Sequence, residues 1–235
     1  MDIQMKYLGP ICMGLGVSFI GMVLYRFGKR ELGKQIAGEG QDEKEKKVPI
    51  FSLVLASQNI WQVAMCISNV VVALFLEIVY AADTLVVLRI VFLCTVLYVC
   101  AWTDCRAYLI PNKILLAALL FYIGLFIIEA FLKPWNVSYA AVGAGVSAAA
   151  LLLAGLLCRL FVPGSVGFGD LKLFVVLGLY LGADCTWNAV FYTLLTSFTV
   201  SVFLLVTKRA SRKSVMPFAP FLLFGTLLAA FLNGV

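Results

Sequence analysis

The chain is predicted to be all-α, a polytopic membrane protein of about eight transmembrane helices, and three observations predict it. Of 235 residues, 63% are hydrophobic and only 13% charged, with a mean hydropathy of +1.03. A soluble domain of this size has too little interior to hide that much apolar side chain, so lipid must cover much of it. Apolar runs of spanning length recur along the whole sequence. Finally, when crossings alternate, fifteen of the 18 Lys and Arg fall on one side, the asymmetry that marks cytoplasmic loops.

The first run, 8–26, could pass for a secretory signal. It has no small-residue cleavage site, and its positive charge (Arg26, Lys29, Arg30, Lys34) follows it, so a retained helix is expected. Residues 28–50 form the one polar segment, with Gly-Glu-Gly-Gln-Asp-Glu-Lys-Glu-Lys-Lys at 38–47, and read as a mobile cytoplasmic loop. The first helix and this loop form one unit, 1–59, and a membrane core follows over 60–235. Runs at 60–80 and 84–102 supply the next two helices, and a fourth covers 114–132. The run 138–162 carries Gly143, Ser147, Gly155 and Ala148 to Ala150, a small-residue face suited to close helix contact. Residues 171–183 are short for a bilayer core that takes roughly 20 residues, and are expected to be partly shielded by protein. Runs at 188–207 and 215–233 complete the set, the last interrupted by Pro217 and Pro220, which would free backbone groups and line a cleft. An even number of crossings places both ends outside the cytoplasm. Trp61, Trp102, Trp135 and Trp187 fall near helix ends, as interfacial anchors do.

Several function classes drop out. The chain has no His, which removes Ser-His and Cys-His pairs and the usual zinc-hydrolase ligand sets. Its 7 Cys show no C-x-x-C spacing and read as small buried hydrophobes, so no metal and no cofactor is expected. The net charge of +6 is taken up by the loops, with no nucleic-acid footprint; the expected partners are membrane lipid and a protein substrate.

Sorting the twelve acids by side isolates two. Asp2, Glu77, Asp83, Glu129 and Asp184 fall outside; Glu31, Glu39, Asp42, Glu43 and Glu45 fall in the polar loop, where they could attract a basic peptide. Asp104 and Asp170 remain at cytoplasmic helix ends, and acids at a membrane surface are functional candidates by default. Asp104 precedes Ile110-Pro111-Asn112, a sharp turn because Pro fixes its own φ and restricts its neighbour. Asp170 closes Gly167-Phe168-Gly169-Asp170, whose glycines accept unusual backbone angles and let another chain approach. Read alone, each Asp could equally be a solvated residue or a helix cap.

Together, Asp104 with Ile110-Pro111-Asn112, then Gly167-Phe168-Gly169-Asp170-Leu171-Lys172-Leu173, then Pro217-Phe218-Ala219-Pro220-Phe221 resemble the type IV prepilin peptidases, the prepilin leader peptidases among the GxGD membrane aspartyl proteases. Val48-Pro49-Ile50-Phe51-Ser52 is similar to that family's stretch before its second helix. The resemblance implies that Asp104 and Asp170 are a catalytic pair, with Gly167, Gly169, Lys172, Pro111, Asn112, Pro217 and Pro220 in support. It implies an aspartic endopeptidase of the bacterial cytoplasmic membrane. Such an enzyme cuts a prepilin or pseudopilin precursor after its short basic leader, at the cytoplasmic face, in the service of pili, type II secretion or DNA uptake. Larger members carry two C-x-x-C pairs in the first loop and also methylate the new N-terminus. Residues 28–59 contain no Cys, so the peptidase step alone is carried over. Lys172 could bias which Asp is ionised or simply meet lipid headgroups. Three other readings stay open: another GxGD intramembrane protease, a transporter using the acids for protons or cations, and an assembly subunit without catalysis.

Overall fold

In a computed structural model of the chain, residues 2–36, 58–161, 167–208 and 216–233 are described, and their regular structure is entirely helical. In chain order the helices are α1 (Asp2–Ile36), α2 (Gln58–Tyr80), α3 (Thr84–Ala107), α4 (Asn112–Leu132), α5 (Pro134–Phe161), α6 (Phe168–Val206) and α7 (Ala219–Asn233). Six of them contain stretches long and apolar enough to cross a membrane, and α7 is a shorter apolar helix. The chain is therefore a multi-pass membrane protein.

A straight α6 of 39 residues would run about 58 Å, almost twice a bilayer core of roughly 30 Å. It does not run straight. Gly182 has φ 70° and ψ −166°, a region only glycine occupies comfortably, and the chain doubles back there. The first limb (168–181) lies antiparallel to α5. A methyl placed on Gly178 would sit 2.6 Å from Ala148 N, while Gly143 faces Ala183 and Gly155 faces Leu171. The second limb returns toward its starting level, where Ser201 Oγ lies 3.4 Å from Met216 Sδ. The short run and its successor are thus two passes joined at one glycine. The small-residue face expected on this stretch of α5 is the surface against which Gly178 packs.

Counting both limbs, the described chain makes eight passes. At one end lie Asp104, the start of α4 and the start of α7. At the other lie Asp83 and Tyr80, whose hydroxyl donates to the Phe231 carbonyl at 3.1 Å. α3 is the central helix: 72% of its apolar window is buried, against 17–33% for the other spans. Lipid is as apolar as a leucine side chain, so close backbone contacts and interhelical hydrogen bonds hold such a bundle together. Asn69 Nδ2 of α2 donates to Ser18 Oγ of α1 (3.0 Å) and to Thr95 Oγ1 of α3 (2.7 Å), clasping three helices. Gly14 and Gly21 let α1 approach Val70 and Met65 of α2.

Four expectations change. α1 continues to Ile36, so residues 28–36 are helix instead of loop; a helix leaving the bilayer keeps its backbone bonds in water, and this stretch is rich in helix-forming Lys, Arg, Glu and Leu. Trp102 is buried, tilted against Tyr25 of α1 at 4.4 Å between ring centroids, so it is core. Only Trp135 and Trp187 stand exposed as an interfacial anchor would. Cys94, Cys100, Cys105 and Cys185 are buried, but Cys12 and Cys158 are exposed. The fourth change concerns Pro217 and Pro220, described with the site. The segment 37–57, with Glu39, Asp42, Glu43, Glu45 and Val48 to Ser52, lies outside the described residues, as do Arg209, Arg212 and Lys213 and the side chain of Glu31.

Candidate active site

Three helix ends meet at one pole of the bundle, and each brings one of the sequence motifs. α3 delivers Asp104 in its final turn. It stops three residues later because Tyr108 adopts the left-handed conformation (φ 54°, ψ 41°), its N–H donating to the Asp104 carbonyl at 2.8 Å. The chain then passes through Leu109 and Ile110 to Pro111 (φ −68°, ψ 120°), which caps the start of α4. That turn rests directly on the second motif, since a methyl on Gly169 would lie 3.1 Å from Ile110 Cβ. A second link joins them: Lys172 Nζ donates to Asn112 Oδ1 at 2.8 Å.

Asp170 sits in the first turn of α6. Its Oδ2 accepts the Gly167 N–H at 3.3 Å, and the positive end of the helix favours a carboxylate there. Asp104 is only 6% exposed. A carboxylate that far from water needs donors, and α7 supplies them. Asp104 Oδ2 accepts the Ala219 N–H at 2.9 Å, and the Phe218 N–H also bonds to this carboxyl. Asp170 is close enough for its charge to act on Asp104. Phe174, one turn beyond Asp170, meets Phe218 edge to face at 5.5 Å, locking α6 against the start of α7.

The supporting residues therefore hold the ends together in ways that differ from expectation. Pro217 and Pro220 do not interrupt a helix, because α7 begins at Ala219, with Phe221 N–H and Leu222 N–H closing onto the Phe218 carbonyl. Proline suits a first turn, where its missing N–H is not needed. Gly167 and Gly169 adopt no unusual angles: Gly167 is extended at φ −70° and Gly169 is helical. What Gly169 contributes is room for Ile110. The head of Lys172 points to Asn112.

Of the acids expected at the opposite end, Asp83 and Glu129 are found there with cationic partners, and the side chains of Asp2 and Asp184 lie outside the described residues. Lys133 donates to Asp83, and Arg89 lies 3.9 Å from Glu129. Among the described residues, no three Asp, Glu or Cys side chains gather where they could hold a metal ion.

Residues 91–206, from mid-α3 through the second limb of α6, match the type IV leader peptidase family. They belong to that family. The leader peptidase match encloses Asp104, Ile110-Pro111-Asn112 and Gly167 to Asp170, and stops short of Pro217. The chain is also 32% identical over 135 residues to the prepilin leader peptidase/N-methyltransferase of Bacillus subtilis (strain 168), covering 57% of this chain and 52% of that one. The chain thus spans about half the length of that curated relative. No solved structure matches it. Within and beside the matched stretch the arrangement offers two carboxyl groups at one pole, one half-buried at a helix start and one buried on backbone donors. Sequence reasoning missed the donors. A Pro-Phe-Ala-Pro start leaves the Ala219 N–H seeking an acceptor, but nothing local shows that the acceptor lies 115 positions away.

Proposed function

We propose that this chain is a membrane aspartyl endopeptidase that removes the leader of a type IV prepilin-like or pseudopilin precursor. It does so at the cytoplasmic face of a bacterial cytoplasmic membrane, with Asp104 and Asp170 as the catalytic pair. The observation that carries this reading is the meeting of the two acids at one pole, inside the stretch that matches the leader peptidase family. Two neighbouring carboxyl groups cannot both ionise easily, so one keeps its proton. The ionised member accepts a proton from water as the water attacks the scissile carbonyl carbon. The protonated member donates a hydrogen bond to that carbonyl's oxygen and takes up the developing charge. The two titrate as a unit, so the roles belong to the pair.

In this reading Gly169, Pro111, Asn112 and Lys172 set the distance between the acids by fixing the α4 start on the α6 start. Gly167 anchors Asp170, and Pro217 and Pro220 shape the α7 start that holds Asp104. The charge asymmetry supports the cytoplasmic placement, because Lys29, Arg30, Arg106, Lys113, Arg159 and Lys172 all belong to the Asp104 pole. Peptide cleavage alone is proposed, without methyl transfer. The test is to incubate wild type, Asp104→Asn and Asp170→Asn in membranes with a prepilin-like precursor and follow the leader on a gel. Cleavage is expected for wild type and lost in both variants. Wild-type rates in either variant, or an inert wild type, would overturn the assignment.

A further inference from the structure

The opposite face of the helix that carries Asp170 lines a second, unassigned cavity. On the first limb of α6, Asp170, Leu173, Phe174 and Leu177 share the side turned to the bundle interior. Phe168, Leu171, Lys172, Val175 and Val176 lie half a turn away. Those five residues and the facing sides of α4 and α5 enclose a groove of about 610 Å³, within the roughly 300–1,000 Å³ of ordinary ligand sites. Its walls are aliphatic (Leu116, Leu119, Leu152, Leu156), and its only polar lining is Asn112 and Lys172, both at the Asp104 pole. No acid lines it. The Arg159 guanidinium lies 3.6 Å from the centre of the Phe168 ring on the same rim, and Lys113 adjoins Asn112 in sequence.

An aliphatic slot that runs from the bilayer to a cationic mouth at the headgroup level fits an amphiphile with one anionic head. We infer that this groove is a binding site for an anionic phospholipid. One acyl chain lies between α4, α5 and α6, and the phosphate meets Lys172 with Arg159 alongside. Basic recesses between helix ends on the cytoplasmic side are where such headgroups are held. The site is separate from the proposed peptidase chemistry, since the groove and Asp170 occupy opposite sides of one helix. It is also connected to it. The same Lys172 ammonium holds Asn112, so a phosphate there joins or replaces the contact that seats α4 against α6.

The experiment uses the full chain in nanodiscs of phosphatidylcholine with about a quarter phosphatidylglycerol, followed by native mass spectrometry after extraction and by a melting curve. Wild type should retain phosphatidylglycerol and should melt higher with it than in phosphatidylcholine alone. Lys172→Gln should lower retention about fivefold, the effect of one surface cation on an anionic headgroup. Leu152→Trp, which fills the groove, should abolish retention, and Leu116→Trp repeats that test should Leu152→Trp fail to fold. Lys208→Gln, a cation of the same pole outside the groove, should retain lipid like wild type. Equal retention by wild type, Lys172→Gln and both tryptophan variants would overturn the proposal. It would also fail if groove filling left lipid unchanged and instead broke a dimer or raised the KM for a prepilin-like peptide. The lipid-retention and melting readouts do not depend on the peptidase reading, because Asp170→Asn should keep its lipid.

Discussion

Replacing Asp104 by Asn and by Ala separates the structural task of this carboxyl group from the chemistry proposed for it. In the structure Asp104 is buried and its Oδ2 accepts the Ala219 N–H at 2.9 Å, closing the first turn of α7. Asn keeps an acceptor oxygen at nearly the same place, so the cap survives and the change in stability should stay below about 1 kcal/mol. Ala leaves a buried backbone N–H without a partner, which costs about 1–3 kcal/mol. Both substitutions remove the acid, so both should lower turnover of a prepilin-like precursor by about a hundredfold or more, the scale of a lost general acid or base. The assay pairs a melting curve in nanodiscs with leader cleavage on the same preparation. If Asp104→Asn melts like wild type and does not cut, the acid acts in the reaction and not only as a cap. If Asp104→Asn cuts normally, the catalytic reading fails. If Asp104→Ala melts like wild type, the inference that this side chain secures α7 fails.

Three packing predictions follow from the same geometry. Gly182→Ala forces a methyl-bearing residue into φ 70°, ψ −166°, and should destabilise the chain by about 1–3 kcal/mol, seen as a lower melting temperature and easier proteolysis between the limbs of α6. Gly178→Val places side-chain atoms where even a first carbon lies 2.6 Å from Ala148 N; it should push α5 off α6 at a cost of about 1–3 kcal/mol, while Gly124→Val, facing open space, should leave melting unchanged. Asn69→Ala removes two interhelical bonds and should lower stability by about 1 kcal/mol without altering cleavage, because the clasp lies far from the Asp104 pole.

The parts of this fold legible in the sequence were those written in local chemistry. Apolar length located the passes, since crossing a bilayer fixes how many consecutive residues must avoid charge. The shortness of 171–183 marked a pass that protein must shield, and Leu171, Leu173, Val176, Leu177 and Tyr180 are indeed buried. Sorting acids and bases by side put Asp83, Glu129, Lys133 and Arg89 at one end, and the structure adds their pairing there, Asp83 with Lys133 and Glu129 with Arg89. Illegible were features set by which helix lies against which. Trp102 reads as an interface residue because it stands near a helix end, yet Tyr25 of α1 packs on it and buries it. Gly169 reads as room for a substrate strand, yet Ile110 occupies that room.

The same distinction bears on how the two acids come to meet. Neither motif contains a contact that would draw Asp104 toward Asp170. Like charges oppose the approach, and burial of Asp104 opposes it further. The approach is imposed from outside the pair, by Ile110 seated on Gly169, by Lys172 on Asn112, and by α7, whose first turn takes Asp104 as its cap while Phe218 grips Phe174. A site held this way stores its electrostatic cost in neighbouring contacts, so loosening those contacts should let the acids part before the bundle unfolds. Phe174→Ala tests this, since it removes the aromatic grip and touches neither carboxyl. Cleavage should fall severalfold at a temperature where the variant still melts cooperatively, and a fall only in step with global unfolding would show that the pair needs no such clamp.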